Sequence, residues 1–410
     1  MRPCSWGMIT ALLLTLPAAA ADVPPGALPA ALAAAVPGET LDLLPGRHAG
    51  PVVIDKPLTL AGRPGAVVEG GGRGSVVTVK AADVTLRGLE IRGSGLSLPE
   101  MDSAVFLDRS AARAVIESNR LIDNLIGVYV WGARDVLVRD NVIIGRRDLR
   151  MSERGDAITV WNAPGGRVIG NAVSFGRDGV LAITSKQDAF IGNSFEHLRF
   201  AVHFMHTNDS ALTGNRATDV DVGWALMFSD RLEVRGNLVE DVRNHGIALN
   251  FTNNSVFETN TVRRGGEKGL FIYNANKNIL RGNIFESCEI GIHFTAAGER
   301  NTVSGNAFIA NRTQVKYVGT RLIEWAADGR GNYWSDNPAF DLNSDGIADT
   351  PYRPNDLVDR IVWAVPLAKL LLNSPAVQMV RWAQSRFPAL MPGGVVDPAP
   401  LMRPPVRHAG

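Results

Sequence analysis

One asparagine recurs through this chain, at Asn119, Asn141, Asn171, Asn193, Asn215, Asn237, Asn260, Asn283 and Asn306. The steps are 22, 30, 22, 22, 22, 23, 23 and 23 residues. From Asn171 onward a glycine usually precedes it: Gly170, Gly192, Gly214, Gly236, Gly282 and Gly305. Self-similarity at a fixed period of this size marks a repeat architecture. A second marker keeps phase with the first, in segments such as Gly127–Trp131 (GVYVW), Ala201–His206 (AVHFMH), Gly246–Phe251 (GIALNF) and Gly269–Asn274 (GLFIYN). These short apolar and β-branched runs bounded by Gly, Asn and Asp predict strands. No helical period interrupts them between Val105 and Val318.

A 22-residue repeat at ~3.3 Å per residue is a path of roughly 70 Å, one circuit of a narrow coil of about three strands. Each circuit then lands beside the last at the ~4.8 Å strand spacing, and parallel crossovers are right-handed. The expected fold is all-β: a right-handed parallel β-helix with a short N-terminal helical cap and a helical C-terminal extension. The asparagines would stack at an inner corner and hydrogen-bond in register, a structural role and not a catalytic one.

The chain has 410 residues and a formal net charge of +1. Without a basic stripe, nucleic acid is not an expected partner. Residues 1–21 have the form of a secretory leader: Arg2, an apolar stretch through Leu16, and Ala19-Ala20-Ala21 as a small-residue cleavage site. The expected fate is export and cleavage. Cys4 leaves with the leader, so Cys288 has no intramolecular partner and is expected to be a small core residue.

The solenoid is expected over residues 22–335. Leu28–Val36, closed by Pro37-Gly38, would be the helix that covers the first coil's open edges. Two loops break the rhythm, Gly95–Ser103 with Met101 and Arg146–Gly155 with Met151; insertions in solenoids map to loops and often to the binding side. Residues 336–356 hold Asp341, Asn343, Asp345, Gly346 and Asp349, the first half of a calcium-loop pattern. Tyr352 stands where the bidentate Glu would be. Ca²⁺ at Asp341, Asn343, Asp345 and Asp349 competes with a plain Asx-rich turn. Residues 357–410 form an apolar, Pro-interrupted tail, either a docking element for a partner or membrane surface or a cap folded over the last coil.

Strand alternation sets which side chains face out. Val202/Phe204, Trp224/Leu226, Ile247/Leu249, Leu270/Ile272 and Ile292/Phe294 should point inward. The outward row then runs Asp108, Trp131, Trp161, Ile183, Met205, Met227, Asn250, Tyr273, Thr295. Met205 and Met227 are neighbouring rungs, His203 shares their face, and His206 ends the strand where a turn could swing it to the same spot. Thioethers select Cu(I) and imidazole also suits copper, so His203, Met205, His206 and Met227 are candidate copper ligands, with Met151 a weaker one. The bland alternative is a Met pair that fills an apolar groove. His197 and His245 fall in turns and are expected to be solvated. His293 lies four rungs from His203. The aromatics Tyr129, Trp131, Trp161, Phe271 and Tyr273 would form a recognition row.

A competing reading is a secreted polysaccharide lyase, epimerase or hydrolase. Asp156 and Asp178 hold equivalent places on consecutive coils, a possible carboxyl pair with His203 as base; turn capping is the alternative role for these aspartates. A bare interaction module, without metal or turnover, is the third possibility.

The leader, the spaced coils, Val202–Asp209 (VHFMHTND), the loop NYWSD…DLNSDGIADTPY and Asp359–Gln378 (DRIVWAVPLAKLLLNSPAVQ) together resemble the NosD-type periplasmic accessory proteins of nitrous oxide reductase maturation. The resemblance covers the mature chain. It implies a non-enzymatic, copper-handling periplasmic subunit of an ABC-type transporter that assists assembly of the reductase's copper–sulfide centre. The implied partners are a membrane permease, a cytoplasmic ATPase, a copper-donor lipoprotein and nitrous oxide reductase itself. No phosphate-binding GxxxxGK[ST] motif is present, so ATP-driven work falls to a separate subunit. His203, Met205 and His206 lie inside the matching stretch; their metal role rests on the strand geometry above.

Overall fold

The computed structural model describes residues 20–405 except 296, 373 and 388–392. The leader, apart from Ala20 and Ala21, and Cys4 fall outside the described residues. The chain winds as a parallel β-solenoid. One sheet of 13 short strands, from Ala21–Val23 to Thr302–Ser304, forms one wall. A continuous assembly of 23 strands forms the other two. In two coils a single 12-residue strand, Ser194–Met205 or Arg216–Met227, covers both of those walls. It turns the corner at His197 or Asp219, each in the left-handed backbone region.

The inward set is as expected. Val202, Phe204, Trp224 and Leu226 are fully buried, and Ile247, Leu249, Leu270, Ile272, Ile292 and Phe294 nearly so. All belong to one core that runs the length of the solenoid. Helix α1, Leu28–Ala34, closes the first coil by burying Leu28 and Leu32. Cys288 is a buried free thiol, and burial pushes it up to about 11, which makes it a poor nucleophile.

The asparagine ladder is a continuous hydrogen-bond chain. From Asn141 onward the Asn side-chain oxygen accepts the backbone N–H and the side-chain N–H of the Asn one coil before it, while the first rung, Asn119, accepts from Leu89 N. For Asn215 these bonds, from Asn193, are 2.9 and 3.0 Å. Its own amide donates to Phe190 O (2.9 Å), Thr213 O (3.1 Å) and Asn237 Oδ1 (3.0 Å). The turning backbone would otherwise bury unpaired groups. The ladder runs one step past Asn306, to Asn332, whose oxygen accepts from Asn306 N at 3.1 Å and Nδ2 at 2.9 Å.

The chain beyond the last coil does two things. Part of it returns: Gly394–Val396 pairs in parallel with Leu322–Glu324. Buried Asp397 then accepts from Asn332 N (2.6 Å) and Trp334 Nε1 (2.8 Å), which terminates the ladder. The rest forms a helical hairpin, α2 (Leu357–Ala364), a 3-10 stretch (Pro366–Leu371) and α3 (Pro375–Arg386). Val358 and Val362 are buried, whereas Leu367, Leu370, Leu371 and Met379 are exposed. Among the described residues, one segment of the tail thus folds back on the last coil and another leaves an apolar side exposed. No helix among the described residues is long and apolar enough to cross a membrane.

Candidate functional site on the outer sheet face

The outward row has the expected register. Trp131 pairs with Trp161, Trp161 with Ile183, Ile183 with Met205, Met205 with Met227, Met227 with Asn250, and Asn250 with Tyr273. Met205 and Met227 are both half-buried, so neither sits in the lumen. In the parallel row one step inward, His203 follows Leu181 and precedes Ala225, Ala248, Phe271 and His293. Ala225 and Ala248 are small and leave a shallow floor beyond the imidazole. Val222 joins these alanines in a small apolar cluster, and Phe200 and Met227 pack against it.

His203 is the unusual group here. Its residue is 9 % exposed. Nδ1 lies 3.0 Å from Asp178 Oδ2, and the Phe200 ring stands edge-on at 5.1 Å. Nε2 is buried and has no hydrogen-bond partner. A buried polar atom without a partner costs about 1–3 kcal/mol.

Asp178 is fully buried and is also held by Arg199, at 2.8 Å from Nε and 2.6 Å from Nη2. Burial pushes this carboxyl up, but the bonds from His203 and Arg199 outweigh it, and the net shift is downward. On the preceding coil Asp156 repeats the pattern with Arg177, at 3.1 Å for both contacts. Burial and the neighbouring Asp178 raise the Asp156 carboxyl. Both carboxylates are locked to arginines beneath the surface, a structural arrangement that presents neither to a polysaccharide.

His206 takes a different place from the one foreseen. It is exposed, in left-handed backbone, with its ring stacked on Phe228 at 5.2 Å. Phe228 stacks on Phe251 at 5.2 Å, and Phe251 meets Tyr273 at 6.0 Å. These three rings are about two-fifths exposed, at 40, 41 and 42 %. The aromatic row is thus divided. Trp131 and Trp161 are packed under Leu98, Met101 and Leu149 from the two inserted loops, together with Phe106 and Tyr129. The open rings are those C-terminal to the Met pair. Met151 begins a one-turn 3-10 helix in its loop. His245 is not a solvated turn residue: burial lowers it, and its Nδ1 is enclosed without a partner. His293 is pushed down to about 4 by burial and by Lys316 and Lys268.

The Asp341–Asp349 loop spends its oxygens on its own backbone. Asp341 accepts from Gly346 N (2.8 Å), Asn343 from Asp345 N (3.1 Å), Asp345 from Ile347 N (2.8 Å) and Asp349 from Leu342 N (2.8 Å). No group of three or more His, Cys, Asp or Glu among the described residues is disposed to hold a metal ion. Calcium at Asp341, Asn343, Asp345 and Asp349 is therefore unsupported, and the Asx-turn reading takes its place.

The fold is that of a parallel β-solenoid whose outer face carries His203, Met205 and Met227 on two neighbouring rungs. Residues 139–339 match the family model described as NosD, periplasmic copper-binding protein. The chain is 41 % identical over 383 residues to the probable ABC transporter binding protein NosD of Stutzerimonas stutzeri, covering 90 % of this chain and 88 % of the relative. It is 42 % identical over 376 residues to the protein of the same description from Pseudomonas aeruginosa, covering 88 % of each. The chain belongs to the NosD family, and the periplasmic location in that family's description agrees with the export expected from the leader. Among solved structures it resembles the Streptococcus pneumoniae adhesin PfbA (TM-score 0.55, 10 % identity, 68 % of this chain and 91 % of the adhesin). It also resembles a Yersinia enterocolitica family 28 exopolygalacturonase (TM-score 0.54, 11 % identity, 73 % and 78 %). At these identities the likeness is one of fold. Both curated relatives are named as binding proteins, not enzymes.

Proposed function

We propose that this protein is the copper-handling periplasmic component of an ABC-type transporter complex that assists assembly of the copper–sulfide centre of nitrous oxide reductase. Copper is its cargo. What supports the reading is the family's description as copper-binding, together with the register that sets Met205 beside Met227 on neighbouring rungs and His203 two residues before Met205 on the same strand. One imidazole nitrogen and two thioethers are a donor set suited to Cu(I). Half-buried thioethers keep the ion within reach of a donor or acceptor protein, as transfer requires. His206 stands at the rim, where its stacked ring adds to a docking surface with Phe228 and Phe251.

Met205→Ala with Met227→Ala is expected to weaken Cu(I) binding at least about 100-fold, or about 2.7 kcal/mol, in competition with a chromophoric Cu(I) chelator. The circular dichroism spectrum should be unchanged, because neither side chain belongs to the lumen. His206→Ala should weaken binding less than His203→Ala. An affinity unaltered in the double Met variant would remove the site.

The relatives are named probable ABC transporter binding proteins. The exposed apolar side of the α2–α3 hairpin is the surface for the permease in this reading. Leu367→Glu with Leu370→Glu should abolish co-purification with the permease and leave Cu(I) affinity as it was. Retained co-purification would move the docking surface elsewhere.

A further inference from the structure

We infer that Asp178 is a positioning residue: it holds His203 in the Nδ1–H tautomer, so that Nε2 offers its lone pair to Cu(I). This rests on the copper reading above and adds a group that never touches the ion. An ionised carboxylate only accepts hydrogen bonds. The Asp178 Oδ2···Nδ1 distance of 3.0 Å therefore places a proton on Nδ1. In the neutral ring the other nitrogen is then a bare acceptor, and it is the buried one with no partner.

Two further contacts fix the direction in which that lone pair points. Arg199 grips both oxygens of Asp178, which sets the plane of the carboxylate. The same guanidinium lies over the Phe200 ring at 4.3 Å, and Phe200 stands edge-on to His203. The imidazole is thus braced by a carboxylate on one nitrogen and a phenyl ring set perpendicular to its plane. Arg199 and Asp178 also cancel in charge, so copper meets a neutral pocket. A carboxylate behind a ligating imidazole orients the ring and raises its basicity, and losing it costs about 10–100-fold in metal affinity. The Asp156–Arg177 pair one coil earlier is a built-in comparison, since it is likewise buried and gripped by an arginine, while Leu181 holds the place that His203 takes in the next coil.

The test reads the tautomer directly. Long-range ¹H–¹⁵N spectra of the ¹⁵N-labelled, copper-free protein at pH 8 distinguish Nδ1–H from Nε2–H, and His203→Gln identifies the resonance. The wild-type protein should show Nδ1–H. In Asp178→Asn the amide can donate to Nδ1, so the ring should convert to Nε2–H, and Cu(I) affinity should fall 10–100-fold. Asp156→Asn should change neither. Nε2–H in the wild-type protein would overturn the inference. So would Asp178→Asn with the wild-type tautomer and an affinity within twofold. The wild-type spectrum decides the matter even if Asp178→Asn does not fold. If the wild-type protein bound no Cu(I), the copper reading would fail while the tautomer assignment was still settled by the spectrum.

Discussion

Asn215→Ala lowers the unfolding free energy by roughly 3–5 kcal/mol, read as a shift in the urea midpoint at constant slope. The side chain is 1 % exposed and serves five hydrogen bonds in the ladder. Truncation leaves the backbone N–H of Asn193 without its acceptor and the Phe190 carbonyl without its donor, both inside the coil. Each such orphan costs about 1–3 kcal/mol. Relaxation and the remaining partners of Asn193 and Asn237 keep the total below the plain sum. Asn215→Asp should be worse at neutral pH, because an acceptor-only carboxylate would face both the Phe190 carbonyl and Asn237 Oδ1. A loss below about 1 kcal/mol in the alanine variant would mean that the ladder is a by-product of coil stacking and does not hold the turns.

The second large effect has the opposite sign. Asp188→Asn stabilises the protein at pH 8 by roughly 2–4 kcal/mol, and the gain shrinks toward zero at pH 4. Asp188 is 2 % exposed, and burial pushes its carboxyl up to about 7. Oδ1 accepts from Gly166 N at 2.8 Å, and the Ser185 hydroxyl and the Gly166 and Gly165 backbone pull the carboxyl down without offsetting its burial. The same column holds Asn278 and Asn301 in later coils, and both donate their amides to a backbone carbonyl one coil back. The position therefore asks for a donor as well as an acceptor, which a neutral carboxyl supplies and a carboxylate does not. The folded-state pKa is raised. The group's contribution is thus complete below the ordinary carboxyl range near 3.8 and is lost as pH climbs toward 7. A shift of about 3 units corresponds to about 4 kcal/mol as an upper bound. Denaturant unfolding of both proteins at pH 4, 6 and 8 measures it. A difference that stays constant over that range would show that Asp188 is ionised throughout.

Much of the fold was legible because each coil repeats the same physical demand. Asn at the inner corner and paired apolar residues facing the lumen recur at one interval, so phase alone separated Val202 and Phe204 from His203 and Met205. The same phase put Met205 beside Met227. The ladder's last step escaped because its interval is 26 residues, although the Gly331–Asn332 pair carries the usual signal. Its termination by Asp397, 65 residues beyond Asn332, follows from no repeat at all. The Asp178–His203 contact spans 25 residues, one coil plus three, so the aspartate meets the histidine diagonally and not as a rung partner. The recurrence of Asp and Arg 21 residues apart, at Asp156–Arg177 and Asp178–Arg199, was available as a signal for the buried ion pairs. His206 and Trp161 show what register leaves open. Register fixes which row a side chain occupies, whereas turn backbone and inserted loops decide whether that row is open.

The strand lattice also acts as a ruler. From Met227 the outward row passes Asn250, Tyr273 and Thr295 to Val318, four strand spacings or about 19 Å. At that level the hairpin is moored, with the Asn355 side chain bonded to the Val315 carbonyl and Lys316 lying 5.9 Å from the Trp363 ring. The reach between the thioethers and the mooring point can therefore change only in whole increments of ~4.8 Å, through gain or loss of an entire 22- or 23-residue turn. Intermediate separations are forbidden by the lattice, which makes the stand-off between the two surfaces a discrete, inheritable length.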